Sequence, residues 1–236
     1  MLPQVKRRVV TYGISTEAAL QARDIRLDAG GAVFEVWEGK TWCLGSVRLN
    51  LPGRHNVANA LAAIAVGREL SIPFPTIAHA LSQFTGVVRR FETKGERRGV
   101  LVVDDYAHHP TEIAATLEAA RQVHPDRRLV ALFQPHLFSR TRDFAAEFGR
   151  ALASCDLALV TQIYPSREKQ IPGVTGDLIV RAAKEAGQAN VLYLPDRKQV
   201  NDELEALLKP GDLLLTLGAG DVVRFGEEYL ARGGRG

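Results

Sequence analysis

Five short apolar runs, most of them followed by a helical pattern, constrain this chain more than any other feature. They are Val100–Val103, Leu129–Phe133, Leu157–Thr161, Val191–Leu194 and Leu213–Leu217. A strand that is apolar on both faces must be covered on both faces. Helices between successive strands supply that cover and bring the strands back parallel. Residues 91–236 are therefore expected to form a mostly parallel sheet with helices on both sides. The clearest helical stretches are Thr111 to Val123 and Asp143 to Ala153.

Before residue 90 the pattern is different. Arg23–Leu27, Ala32–Trp37 and Trp42–Leu49 alternate apolar and polar residues, with turns at Ala29-Gly30-Gly31 and Glu38-Gly39-Lys40. Period-two alternation describes strands with one wet face, so a small antiparallel meander is expected here. Two helices follow, at about Asn56 to Leu70 and Thr76 to Phe84, the second placed behind Pro75. Arg8 to Gly13 reads as a strand without an obvious neighbour, as though this region were truncated. The chain thus divides into residues 1–90 and 91–236.

Several classes of function find no support. No apolar run approaches the length that spans a bilayer, and no secretion-type leader pattern is present. The net charge of +3 is small and scattered, unlike the basic stripe of a nucleic-acid binder. Cys43 and Cys155 lie far apart without metal-ligand spacing, which fits a reducing, cytoplasmic setting.

In open α/β sheets, ligands bind beyond the carboxyl ends of the strands. Here those ends carry the polar residues. The first run leads into Asp104-Asp105-Tyr106-Ala107-His108-His109. The second leads into Gln134-Pro135-His136 and then Ser139-Arg140-Thr141-Arg142-Asp143. The third leads into Gln162-Ile163-Tyr164, and the last into Gly218-Ala219-Gly220-Asp221. Carboxylates, imidazoles and guanidinia gathered at one edge define a binding crevice. Arg140 suits a carboxylate or phosphate held by two parallel hydrogen bonds. Gly218-Ala219-Gly220 resembles a phosphate-binding turn, but Val223 stands where a dinucleotide fingerprint has its third glycine. His79 and His124 read as structural.

These segments carry a family resemblance. Gly53-Arg54-His55-Asn56-Val57-Ala58-Asn59-Ala60 resembles the signature that ends the central, ATP-binding domain of the Mur ligases. Val88-Arg89-Arg90-Phe91-Glu92 is similar to that family's junction to the C-terminal domain. The aspartate-tyrosine-histidine segment, Phe133-Gln134-Pro135-His136 and Ser139-Arg140-Thr141-Arg142-Asp143 resemble the branch that adds L-alanine. The resemblance implies a Rossmann-like C-terminal domain, preceded by the truncated end of an α/β ATP-binding domain. It also implies formation of an amide between L-alanine and UDP-N-acetylmuramate through an acyl phosphate, with ATP and Mg²⁺. On the same basis His55, Asn56, Asn59, Arg90 and Asp105 would bind ATP. Tyr106, His108 and Arg140 would form the L-alanine pocket, with His108 and Arg140 catalytic. Leu137 stands where many relatives have an arginine, which leaves more of the anion binding to Arg140 or Arg142.

The sequence contains no Gly-x-x-x-x-Gly-Lys-Ser/Thr loop to hold the ATP phosphates. The expectation is that the chain alone does not catalyse ligation, and that an N-terminal half comes from a missing segment or a separate chain. The Mg²⁺ site would lie mainly in that part, and none is assigned here. Two alternatives use the same residues: a non-catalytic nucleotide-binding module, and a metal-dependent phosphoesterase built from Asp104, Asp105, His108, His109 and His136.

Overall fold

Strand β2 (Leu20–Asp28), β3 (Gly31–Glu38) and β4 (Trp42–Leu49) form the expected antiparallel meander in the computed structural model, which describes residues 6–14, 17–28 and 30–232. Phe34 and Val36 of β3 are buried, whereas Glu35 and Trp37 alternate toward the wetter face. The buried side packs with Val57, Leu61 and Ile64 of α1 (Arg54–Glu69) and Ile77 of α2 (Phe74–Gln83). Those α1 residues recur at helical spacing, so the helix presents one apolar stripe to the sheet. Gly31 takes φ of +140°, and a Cβ there would lie 1.9 Å from the Leu49 carbonyl oxygen. Only glycine lets β3 start this close to β4. The turn expected at Ala29 falls partly outside the described residues.

The opening strand differs from expectation. Only β1 (Tyr12–Gly13) is extended, and it does have a neighbour, pairing parallel with Leu20 and Gln21. Thr11, just before β1, adds to this pairing: its hydroxyl accepts from the Ala19 amide and its carbonyl from the Leu20 amide.

This first compact unit extends to Gly86 and the second begins at Val87. Residues 87–90 fall with the second unit because Arg89 is hydrogen-bonded into it. The second unit contains β5 (Glu92–Arg97), β6 (Val100–Asp105), α3 (Pro110–Val123), β7 (Arg128–Phe133), α4 (Phe138–Asp143) and α5 (Ala145–Leu152). It continues with β8 (Leu157–Thr161), α6 (Asp177–Glu185), β9 (Val191–Leu194), α7 (Arg197–Leu207), β10 (Asp212–Leu217) and α8 (Val223–Ala231). The sheet order is β5-β6-β10-β7-β8-β9, parallel throughout except for β5. One face packs Val103, Ala131, Phe133 and Leu215 against Ile113, Phe148 and Ile179 of α3, α5 and α6. The other packs Val102, Val130, Leu132 and Leu214 against Val200, Leu204 and Phe225 of α7 and α8. That two-sided burial is the physical reason the strand sequences are apolar without alternation.

Two elements depart from the sequence expectation. Strand β5 has no apolar residue but is a true edge strand, where charged side chains are tolerated and useful. The helix expected at 143–153 is α5, and ahead of it residues 138–143, expected as a loop before that helix, form the separate short helix α4, with the break at Phe144 (φ −121°). Leu137 opens α4 with φ of +72°, and its carbonyl accepts from both the amide and the hydroxyl of Thr141.

Candidate functional site

Inserting β10 between β6 and β7 brings the 218–221 turn between the aspartate-tyrosine-histidine segment and the Gln134-Pro135-His136 segment. Arg89 fastens these parts together. Its Nε donates to Asp104 Oδ2 at 2.8 Å, while its terminal nitrogens donate to the carbonyls of Gly218 (2.6 Å) and Gly220 (3.0 Å). Asp104 is fully buried and also accepts from the Thr216 hydroxyl at 2.6 Å. Sequence reasoning singled out the neighbouring Arg90 and missed Arg89. Two adjacent arginines look alike until the backbone turns, here through φ of +64° at Arg89 and +50° at Phe91. The glycine turn is not an open phosphate cradle. Its carbonyls face Arg89, and a Cβ on Gly220 would lie 2.2 Å from Gln134 Oε1 and 2.7 Å from the Tyr164 ring.

Asp105 is only 4 % exposed, and each carboxylate oxygen accepts a backbone amide at 2.8 Å, from Phe91 and from Ala107. Burial pushes its pKa up, against the pull of those two amides and Arg90. Its first task is therefore to shape the 89–91 and 105–107 turns, which leaves the second lone pair of each oxygen for another donor. Tyr106 stands at the surface with the guanidinia of Arg89 and Arg90 over its ring, 5.1 and 5.7 Å from the centroid.

His108 is oriented through its Nδ1, which lies 2.9 Å from the Tyr106 carbonyl and 3.5 Å from Glu112 Oε2. A carbonyl can only accept, so Nδ1 is the donor in this contact and Nε2 is the ring nitrogen left for another partner. Glu112 also accepts the amides of His108 and His109. Burial raises its pKa, but those amides and the His108 ring outweigh it and leave the carboxyl below its usual range.

At the end of β7, the His136 ring lies 5.9 Å from that of His108 and stacks on Tyr164 at 5.8 Å. Arg140, one helical turn on, approaches His136 Nδ1 at 3.4 Å. Burial first, then Arg140 and His108, lower the His136 pKa. Tyr106, His108, His136 and Tyr164 thus form a chain of ring contacts, with the Arg140 guanidinium against His136. Arg142 is exposed and bonded to Asp143. In the first unit, His55, Asn56 and Asn59 share the first turns of α1. Asn56 donates to the Pro52 carbonyl at 2.8 Å and accepts from Asn59 at 3.4 Å.

The phosphoesterase alternative loses its geometry. Asp104 is committed to Arg89 and Thr216, Asp105 to two amides, and the His109 ring packs on Phe144 at 5.1 Å. Among the described residues, no three or more His, Cys, Asp or Glu side chains are grouped to share a metal ion. Among them too, no helix is long and apolar enough to cross a membrane.

His136 and His124 together predict a pH dependence. Both have pKa values lowered from 6.5, His124 by burial and then by Arg127. In the window below the unfolded value the unfolded chain binds more protons, so stability rises with pH. Asp105, raised from 3.8, acts in the opposite sense as pH climbs through its range. Urea unfolding should show stability increasing from about pH 5.5 to about pH 7, and His124→Gln with His136→Gln should flatten that slope. An unchanged slope in the double variant would sink the assignment.

The second unit is doubly wound with this cluster at its strand ends, and it follows a meander-and-helix unit in the chain. Residues 89–220 match the model of the Mur ligase, glutamate ligase domain, and residues 1–67 that of the Mur ligase middle domain. The chain belongs to the Mur ligase family. It is 50 % identical over 232 residues to a UDP-N-acetylmuramate–L-alanine ligase of Solidesulfovibrio magneticus, covering 98 % of this chain and 50 % of the relative. The corresponding ligase of Geobacter sulfurreducens is 47 % identical, with 98 % and 50 % covered. The chain therefore spans about half the length of these curated relatives. Among solved structures, the UDP-N-acetylmuramate-alanine ligase of Thermotoga maritima is similar with a TM-score of 0.76 at 28 % identity, covering 94 % of this chain and 47 % of that one. A murein peptide ligase from Psychrobacter arcticus matches at 0.68 and 27 % identity, with 95 % and 46 % covered.

Proposed function

We propose that this chain is the amino-acid-binding part of an ATP-dependent ligase that joins L-alanine to the carboxylate of UDP-N-acetylmuramate, in the cytoplasmic synthesis of peptidoglycan precursors. The observation that carries this reading is the Tyr106, His108, His136 and Arg140 cluster at the strand ends, in a chain about half identical to ligases of that name.

The roles follow from the chemistry. A carboxylate resists attack by an amine, so ATP supplies the phosphoryl group that activates it, with Mg²⁺ offsetting the phosphate charge. Arg140 holds the amino-acid carboxylate, and its planar fork suits two parallel hydrogen bonds. His108, protonated on Nδ1, offers Nε2 to take a proton from the ammonium group, because only the neutral amine is a nucleophile. Tyr106 gives the pocket an aromatic wall. The family resemblance assigns His55, Asn56 and Asn59 of the first unit, and separately Arg90 and Asp105 of the second, to nucleotide binding. The phosphate loop is to come from outside these 236 residues.

The test joins this chain to the N-terminal half of the Solidesulfovibrio magneticus relative. With ATP, Mg²⁺ and UDP-N-acetylmuramate, phosphate release should require L-alanine, and the chain alone should release none. Release indifferent to L-alanine in the joined protein would overturn the reading.

A further inference from the structure

Helix α4 carries Arg140, yet nothing in its own six residues explains its stability. Isolated helices below about 12–15 residues are marginal in water. This one also begins at Leu137, a non-glycine residue with φ of +72°, a conformation that costs free energy and persists only when its surroundings enforce it. The enforcement comes from the segment that follows β8. The Tyr164 carbonyl accepts the Leu137 amide at 3.0 Å, and the Pro135 carbonyl accepts the Tyr164 amide at 2.8 Å. Phe138 packs with Ile163 and Val174, flanked by Ile171 and Leu178. Glu168 closes the segment. Its two oxygens accept separately from Ser139, Oε2 from the amide at 3.0 Å and Oε1 from the hydroxyl at 2.5 Å.

We propose that Glu168 is a positioning residue for the amino-acid pocket, which anchors Ser139 at both its donors and so fixes where α4 presents Arg140 beside His136. The proposal rests on the function stated above, because it assumes that Arg140 receives the amino acid. Glu168 touches neither Arg140 nor the reacting atoms; it acts through Ser139. Both donors on Ser139 need acceptors, and a carboxylate is the side chain that offers two equivalent ones. The Ser139 hydroxyl and amide also hold the Glu168 carboxyl below its usual pKa. Its charge matters as well as its shape. The groups that perturb His136 are Arg140 and His108, which lower its pKa, and Glu168, which raises it; Tyr164 stacks on the ring. Glu168 is the anion in that set.

The test uses Ser139→Ala, Glu168→Gln and the double variant, in the joined protein and in the chain itself. Each single change should weaken L-alanine affinity about tenfold, the loss of roughly one charge-assisted hydrogen bond, with the thermal unfolding midpoint essentially unmoved. The double variant should lose less than the product of the two single losses, because both residues serve one paired contact, of which Ser139→Ala removes only the hydroxyl bond. Unchanged affinity, or losses that multiply, would overturn the proposal. A second readout is independent of catalysis: the NMR titration of His136 in the chain should move to lower pH in Glu168→Gln. Should the wild-type protein bind no L-alanine at all, the function assigned above fails on its own. The His136 titration then decides this proposal, and an unmoved titration overturns it.

Discussion

Arg89→Met should destabilise the second unit by about 3–5 kcal/mol, the range for breaking a buried ion pair from one side. The expected size follows from what the substitution leaves behind. Asp104 has no exposure and would keep only the Thr216 hydroxyl as partner for a full charge. The carbonyls of Gly218 and Gly220 would lose their donors at the same time. Methionine keeps much of the aliphatic volume, so the loss reports on charge and hydrogen bonding rather than on a cavity. Chemical denaturation of the chain measures it. Pairing the change with Asp104→Ala should recover part of the loss, since the uncompensated charge is then gone. A cost below about 1 kcal/mol, the level of an exposed ion pair, would show that Arg89 does not hold these strand ends together. The neighbouring Arg90→Met should cost far less, because the residue is exposed and its side chain has no hydrogen bond among the described residues.

Arg140→Ala should raise the KM for L-alanine in the joined ligase by roughly 10- to 100-fold, equivalent to the 1.5–3 kcal/mol of a hydrogen bond to a charged group. The unfolding midpoint should barely move, because the guanidinium is partly exposed and its one close polar partner among the described residues is His136 at 3.4 Å. Removing that cation should also let His136 titrate at higher pH, as Arg140 is a principal electrostatic cause of its lowered pKa after burial. Arg140→Lys should restore charge but only part of the affinity, since an ammonium cannot reproduce the planar fork. Equal loss in kcat with KM unchanged would relocate Arg140 from amino-acid binding to the transferring group.

These two arginines mark what could be read from the linear chain and what could not. Local pattern alone was enough for the parallel sheet, because strands buried on both faces are apolar at nearly every position, as Leu129–Phe133 is throughout and Leu213–Leu217 is apart from Thr216, whose hydroxyl is taken up by Asp104. It was also enough for the meander, and, through the strand-end rule, for the segments holding His108 and Arg140. Local pattern reports burial, face by face, and nothing more. It could not reveal the polar edge strand β5, or that α4 would be helical.

Strand order was decided only by tertiary structure. Leu213 pairs with Leu101 on one side and Leu129 on the other, across more than half the second unit. That insertion is what delivers the Gly218 and Gly220 carbonyls to Arg89, and it separates Arg89 in role from the chemically identical residue beside it. The link from Glu168 to Ser139 is of the same kind, a contact between segments that share no periodicity. The sequence by itself determined which segments meet at the strand ends, because hydrophobic burial is written residue by residue. Which side chains in those segments are tied into the fold, as Arg89 and Asp104 are, was decided by long-range hydrogen bonds, whose partners no local pattern encodes.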